Sequence, residues 1–146
     1  MVRRGVAPAL LSSAAASEGD VLGSASVVAF VPSRDPTKAR DFYEGVLGLR
    51  VVGQDQFALV LDANGVTVRV VDVSGVRGFK PAPFTILGWH VANAAKVVRS
   101  LGAKGVAFER YDGMQQDALG IWTAPGGAKV AWFKDPDGNV LSISQD

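Results

Sequence analysis

Cysteine is absent from this chain, and histidine occurs once, as His90. Disulfides, thiolate nucleophiles and cysteine metal sites are therefore excluded, and one histidine cannot build a histidine-rich metal site. The lack of cysteine suits a cytoplasmic protein. Neither sign of charge dominates: 15 Lys and Arg stand against 14 Asp and Glu, for a net charge of +1. Beyond Arg3-Arg4 there is no basic run, so no field directs the chain to nucleic acid. No apolar run approaches the roughly 20 residues of a membrane span. No phosphate loop or Gly-x-Gly-x-x-Gly supports a nucleotide cofactor. No Gly-x-Ser-x-Gly marks a hydrolase elbow either. These absences leave a globular chain with no signal for nucleic acid or membrane as a partner.

What the chain does contain is one unit twice. An apolar strand at Ser26–Val31 precedes a helix over about 35–47; a second strand at Phe84–Val91 precedes a helix over about 94–102. The offset from Asp35 to Asn93 is 58 residues, and it also carries Val28 onto Ile86 and Tyr43 onto Leu101. Asp35 is an N-cap followed by Pro36 at the first helical position. Ala39, Phe42, Tyr43, Val46 and Leu47 form an apolar stripe at helical spacing, which Gly48 ends as a left-handed cap. Asn93 caps the second helix, whose stripe is Ala94, Val97, Val98 and Leu101. Leu49–Val52, Phe57–Leu61 and Val66–Val73 read as strands, with Asn64-Gly65 as a hairpin turn. After the second helix, Val106–Arg110, Ile121–Ala124, Lys129–Lys134 and Val140–Ser144 read the same way. Asp135-Pro136-Asp137-Gly138-Asn139 is a tight turn, since an EF-hand would need further ligands and a distal Glu.

The expected fold class is α+β: two βαβββ modules, each a mixed sheet with its helix on one face, whose other face must curl around something or be covered by its twin. Residues 1–24 are expected to be a mobile tail, or to follow from an upstream start codon misread as the true one, because Pro8, Ser12 and Ser13 interrupt what would be the apolar stretch of an export signal. Residues 25–146 form a single domain, with module one at 25–73, a linker at 74–83 and module two at 84–146.

Asp35-x-x-Lys38-Ala39-x-x-Phe42-Tyr43-x-x-x-Leu47-Gly48-Leu49, the second helix ending Leu101-Gly102-Ala103-Lys104-Gly105, and the closing Phe133-Lys134-Asp135-Pro136-Asp137-Gly138-Asn139 resemble the glyoxalase / bleomycin-resistance / dioxygenase superfamily. This group is also called the vicinal oxygen chelate superfamily. The resemblance covers about residues 25–145. It implies two βαβββ modules forming an eight-stranded curved sheet, a cup with the helices on its outer face, often completed in a homodimer, in which enzymes of the group hold a divalent metal on His, Gln or Glu. Carried onto this chain, the four ligand positions are Val28, Arg69, Ile86 and Ser142. Valine and isoleucine have no donor atom, arginine stays protonated, and serine alone is a weak ligand. The expectation is therefore no metal and no cofactor.

The cup would be lined by Val28, Phe30, Ile86, Gly88 and His90, with Arg69 and Ser142 opposite. Gly88 leaves room on the floor. His90 is either a donor or base facing the ligand or a strand-end histidine held by a neighbour. Arg69 either pairs with an anionic ligand group or faces solvent. Trp89, Trp122 and Trp132 read as core, although Trp122 follows a polar loop, Tyr111–Leu119, that could close over the cup, which makes it a candidate ligand contact. The function expected is a metal-free protein that binds a small apolar or aromatic molecule. The alternatives are a metal-dependent lyase or dioxygenase with atypical ligands, and a structural or regulatory dimer with no ligand.

Overall fold

The structure is a computed structural model, and it describes residues 21–146. The expected tail lies, over residues 1–20, outside the described residues. Strand β1 (Val28–Ser33) leads into α1, an α-helix over Pro36–Arg40 that continues as a π-helical turn over Asp41–Val46. Then come β2 (Arg50–Gln54), β3 (Ala58–Ala63) and β4 (Val66–Asp72). Module two repeats the order with β5 (Thr85–His90), α2 (Ala94–Ala103), β6 (Trp122–Thr123), β7 (Lys129–Lys134) and β8 (Val140–Gln145). The two four-stranded sheets have the same topology, β1-β4-β3-β2 and β5-β8-β7-β6, and adjoin along β1 and β5. In each, the first strand is parallel to the last and the other pairs are antiparallel.

Local chemistry accounts for these elements. The Asp35 carboxylate accepts from Lys38 N at 3.1 Å, and Asn93 Oδ1 accepts from Lys96 N at 3.0 Å, so each helix start is capped as its sequence implies. Asn64 (φ +51) and Gly65 (φ +93) both take the left-handed conformation that a type I′ hairpin demands. The first helix differs from expectation in its second half. Leu47 N bonds to Phe42 O at 2.9 Å, five residues back, so the turn is wider than α-helical. It keeps the neighbouring Phe42 and Tyr43 both turned inward, edge to face at 5.2 Å.

One core joins the modules on the helical side of the sheets. Val31, Tyr43, Leu59, Leu61, Val68 and Val70 of module one belong to the same cluster as Val98, Ala131, Phe133, Leu141 and Ile143 of module two. A polar knot reinforces this seam. Asp135 Oδ2 accepts from the Tyr43 hydroxyl at 2.7 Å and from Asn139 Nδ2 at 2.8 Å. Its Oδ1 accepts from Asp137 N and Asn139 N, both at 2.9 Å. Asn139 Nδ2 also donates to Pro32 O at 2.8 Å, and Arg34 N donates to Asp137 Oδ1 at 2.7 Å. The turn expected at 135–139 is thus also the clasp between modules. Val46 and Lys104, equivalent across the 58-residue offset, touch each other: Lys104 Nζ lies 3.5 Å from Val46 O. A contact between equivalent residues marks the pseudo-twofold axis.

The strand expected at Val106–Arg110 does not form. Phe108 makes only an isolated bridge to Phe133, and Glu109 N bonds to Trp132 O. Arg110 then turns away, its guanidinium donating to the carbonyls of Asp117 and Ala118. The outer strand of module two is instead the two-residue β6.

Candidate ligand-binding site

Side chains alternate between the two faces of a strand. In β1, Val31 and Ser33 are buried towards the helices, while Phe30 faces the other way and is 62% exposed. Phe30 is the register partner of Arg69 on β4, and Arg69 in turn that of Val60 on β3. Partners in register share a face, so these three form a row on the concave side. In module two the matching row runs Gly88, Ser142, Trp132 across β5, β8 and β7. The 58-residue offset carries Phe30 onto Gly88, and the strand register carries Arg69 onto Ser142. Arg69 and Ser142 therefore sit beside Phe30 and Gly88 on neighbouring strands, about 4.8 Å away in the sheet, and not opposite them.

Each position has its own constraint. A Cβ on Gly88 would lie 2.7 Å from Ser142 Oγ, so glycine here admits the serine hydroxyl to the floor. The equivalence of Val28 and Ile86 is broken by a bulge: the register slips between Thr85 and Leu87, and Ile86 packs on the core. Arg69 is half-buried and forms no ion pair among the described residues. Its charge is felt at Asp55, whose carboxyl is held below its ordinary range chiefly by the N–H groups of Phe57 and Ala58, and less by Arg69. His90 is the strand-end histidine, exposed, with Nε2 3.2 Å from Asp146 Oδ2.

The aromatic residues change most against expectation. Trp132 was expected in the core, yet it shares the face of Ser142. Tyr111 packs edge-on against it at 5.5 Å, and Trp122 lies tilted at 6.3 Å. Trp122 and Trp132 thus form one half-buried aromatic shelf, to which Tyr111 adds an exposed edge. Burial, and then Glu109, push the Tyr111 hydroxyl above its ordinary pKa, so it is neutral at pH 7. Sequence reasoning placed Trp132 in the core and Tyr111 only as the start of the lid loop, although the alternation Val130, Trp132, Lys134 against Ala131, Phe133 carried the signal for Trp132. The expected lid is a stitched loop. Gln116 Nε2 donates to Glu109 O and Gly120 O, while its Oε1 accepts from Tyr111 N. Asp117 Oδ1 accepts from Leu119 N and Ile121 N, both at 2.9 Å.

The four positions where the superfamily's enzymes hold a metal carry poor donors here. Val28, Arg69, the bulged Ile86 and Ser142 offer one hydroxyl and a cation. Among the described residues no three His, Cys, Asp or Glu converge. What the surface can do is stack on a flat molecule at Trp132, Trp122 and Tyr111 while Ser142 and Arg69 supply hydrogen-bond donors.

Comparisons agree with this architecture. A bleomycin resistance determinant encoded on the transposon Tn5 is 22% identical, with a TM-score of 0.63, covering 82% of this chain and 96% of that one. TnmS3, an antibiotic binding protein from Streptomyces sp. CB03234, is 22% identical at a TM-score of 0.61, covering 82% and 93%. A lactoylglutathione lyase from Agrobacterium tumefaciens is 16% identical at 0.63, covering 84% and 93%. At these identities the likeness is one of fold. No curated protein sequence matches the chain. The sequence profile of the Glyoxalase/Bleomycin resistance protein/Dioxygenase superfamily matches residues 25–143, and the chain belongs to that superfamily.

Proposed function

We propose that this protein binds a small, flat, apolar or aromatic molecule on its concave face without a metal, and holds it unchanged. The observation that carries the reading is the placement of Trp132 in the same cross-strand row as Gly88 and Ser142, with Tyr111 and Trp122 bracing its ring. Such a surface stacks strongly and polarises weakly, which suits capture better than turnover. Phe30 and Gly88 would form the middle of the floor. Arg69, Ser142 and His90 would orient polar groups at the ligand's edge. The names of two structural neighbours, an antibiotic binding protein and a bleomycin resistance determinant, support the same direction. The rival reading, a metal-dependent lyase or dioxygenase, needs donors that Val28, Arg69 and Ile86 do not carry.

A homodimer and a cytoplasmic place belong to the same proposal. Phe30 and Val28 leave apolar surface exposed on the open face, which a second copy would cover. Among the described residues no helix is long and apolar enough to cross a membrane.

The test is a tryptophan-fluorescence titration against a panel of planar aromatic compounds, with the bound compound recovered and weighed by mass spectrometry. Saturable quenching that Trp132→Ala weakens at least tenfold, with the compound recovered intact, is the expected result. Chemical conversion that depends on an added divalent cation refutes the reading.

A further inference from the structure

The helical side of the sheets carries a hollow that the concave-face reading leaves unused. Leu47 and Leu49 of module one, Val97 and Leu101 of α2, and Trp89 and Phe133 of the second sheet line it. It is a half-open pocket of about 200 Å³, and no lining side chain carries a charge, amide or hydroxyl. Its apolar walls meet solvent, so covering them with an apolar group is favourable. For scale, an engineered apolar cavity of about 150 Å³ takes benzene.

The hollow is not sealed. Leu47, Val97 and Leu101 also border an outer groove of about 490 Å³. That groove is lined by Lys96 and Lys104 and by no acidic residue. The contact of Lys104 Nζ with Val46 O at the pseudo-twofold axis places one ammonium in this adjoining groove. An apolar interior behind two cations is complementary to an amphipathic anion.

We propose that this hollow is a second binding site and that it takes an unbranched aliphatic monocarboxylate, the chain inside and the carboxylate at the lysine-bearing mouth. The volume suits about eight to ten carbons, somewhat more than the six of benzene. Two cations at a partly solvated mouth favour the anion modestly, and the chain supplies the rest of the affinity.

The experiment titrates the full chain with decanoate and with 1-decanol, below micellar concentrations, following amide shifts of Val97 and Leu101 by NMR. Decanoate should saturate with a Kd on the order of 0.1 mM, as about a dozen heavy atoms allow. The alcohol should bind roughly tenfold more weakly. The double variant K96Q/K104Q, both on the surface, should bring the two ligands level. Val97→Trp should fill the hollow and abolish both titrations. Trp132→Ala, on the opposite face of the sheet, should change neither, which separates this site from the concave one. The proposal is overturned if decanoate does not saturate, if K96Q/K104Q leaves its preference over decanol intact, or if only Trp132→Ala weakens it. It is equally overturned if the groove proves to be a protein interface, shown by a dimer that Val97→Trp dissociates while decanoate has no effect.

Discussion

Replacing Tyr43 by phenylalanine removes one oxygen atom from the seam between the modules. The ring is fully buried, and its edge-to-face contact with Phe42 survives the change. What goes is the 2.7 Å hydrogen bond to Asp135 Oδ2, which then keeps only the Asn139 amide. A hydrogen bond to a charged partner contributes about 1.5–3 kcal/mol. The remaining Asn139 contact places the expected loss near 2 kcal/mol. For a domain of this size that lowers Tm by about 6–10 °C. The pH dependence gives a second, independent reading. Burial first, and then the Asp135 charge, raise the phenol pKa in the folded state well above its ordinary value of 10.0. A raised folded pKa means that the contribution is complete below about pH 10 and is lost as the pH rises above it, because the unfolded phenol ionises first. Above that pH the parent should lose up to about 1.4 kcal/mol per pH unit that Tyr43→Phe does not lose. Urea denaturation at pH 7 and along a series from pH 9.5 to about 11 measures both effects. A variant within about 0.5 kcal/mol of the parent at pH 7, or one with the same alkaline slope, refutes the clasp as an energetic element.

Gly88→Ala sets a Cβ against Ser142 Oγ and should cost about 1–2 kcal/mol, and adding Ser142→Ala should recover most of it, checked by a double-mutant cycle in urea. Trp132→Ala should abolish the near-UV circular dichroism of the coupled aromatic shelf while leaving the far-UV spectrum intact; an unchanged near-UV signal would show that Tyr111 and Trp122 do not brace it. Asp35→Ala and Asn93→Ala should each destabilise by about 1 kcal/mol in thermal denaturation, since each removes one helix cap. Gln116→Ala breaks three hydrogen bonds and should raise amide exchange across 111–120, leaving β7 and β8 protected; uniform protection would count against its role as the stitch.

Capping residues, turn residues and the repeat were legible because each acts within a few residues of itself. Asp35, Asn93 and Asn64-Gly65 do in space what their types do in isolation. The register of the two rows was legible in part: Phe30 and Gly88 are equivalent, but the bulge at Ile86 depends on how β5 meets β8, and nothing local announces it. The π-helical turn at Asp41–Val46 leaves the apolar stripe unaltered, so periodicity did not reveal it. Val106–Arg110 has strand composition, yet Gln116 and Arg110 gather that segment into a loop instead of a ladder. Trp132 was misread because a tryptophan between apolar neighbours looks like core until the face of its strand is known.

The clasp at Asp135–Asn139 also has a consequence in time. It joins Tyr43 to Asp135, Pro32 to Asn139 and Arg34 to Asp137, pairs separated by 92, 107 and 103 positions in the chain. A ribosome that has delivered only module one has released a Tyr43 hydroxyl without its acceptor and an arginine without its carboxylate. Such distant pairings close late, after the loop entropy between them has been overcome. A chain interrupted before residue 135 lacks the acceptors for Tyr43 and Arg34 and the amide that bonds Pro32, so its seam is left unclasped.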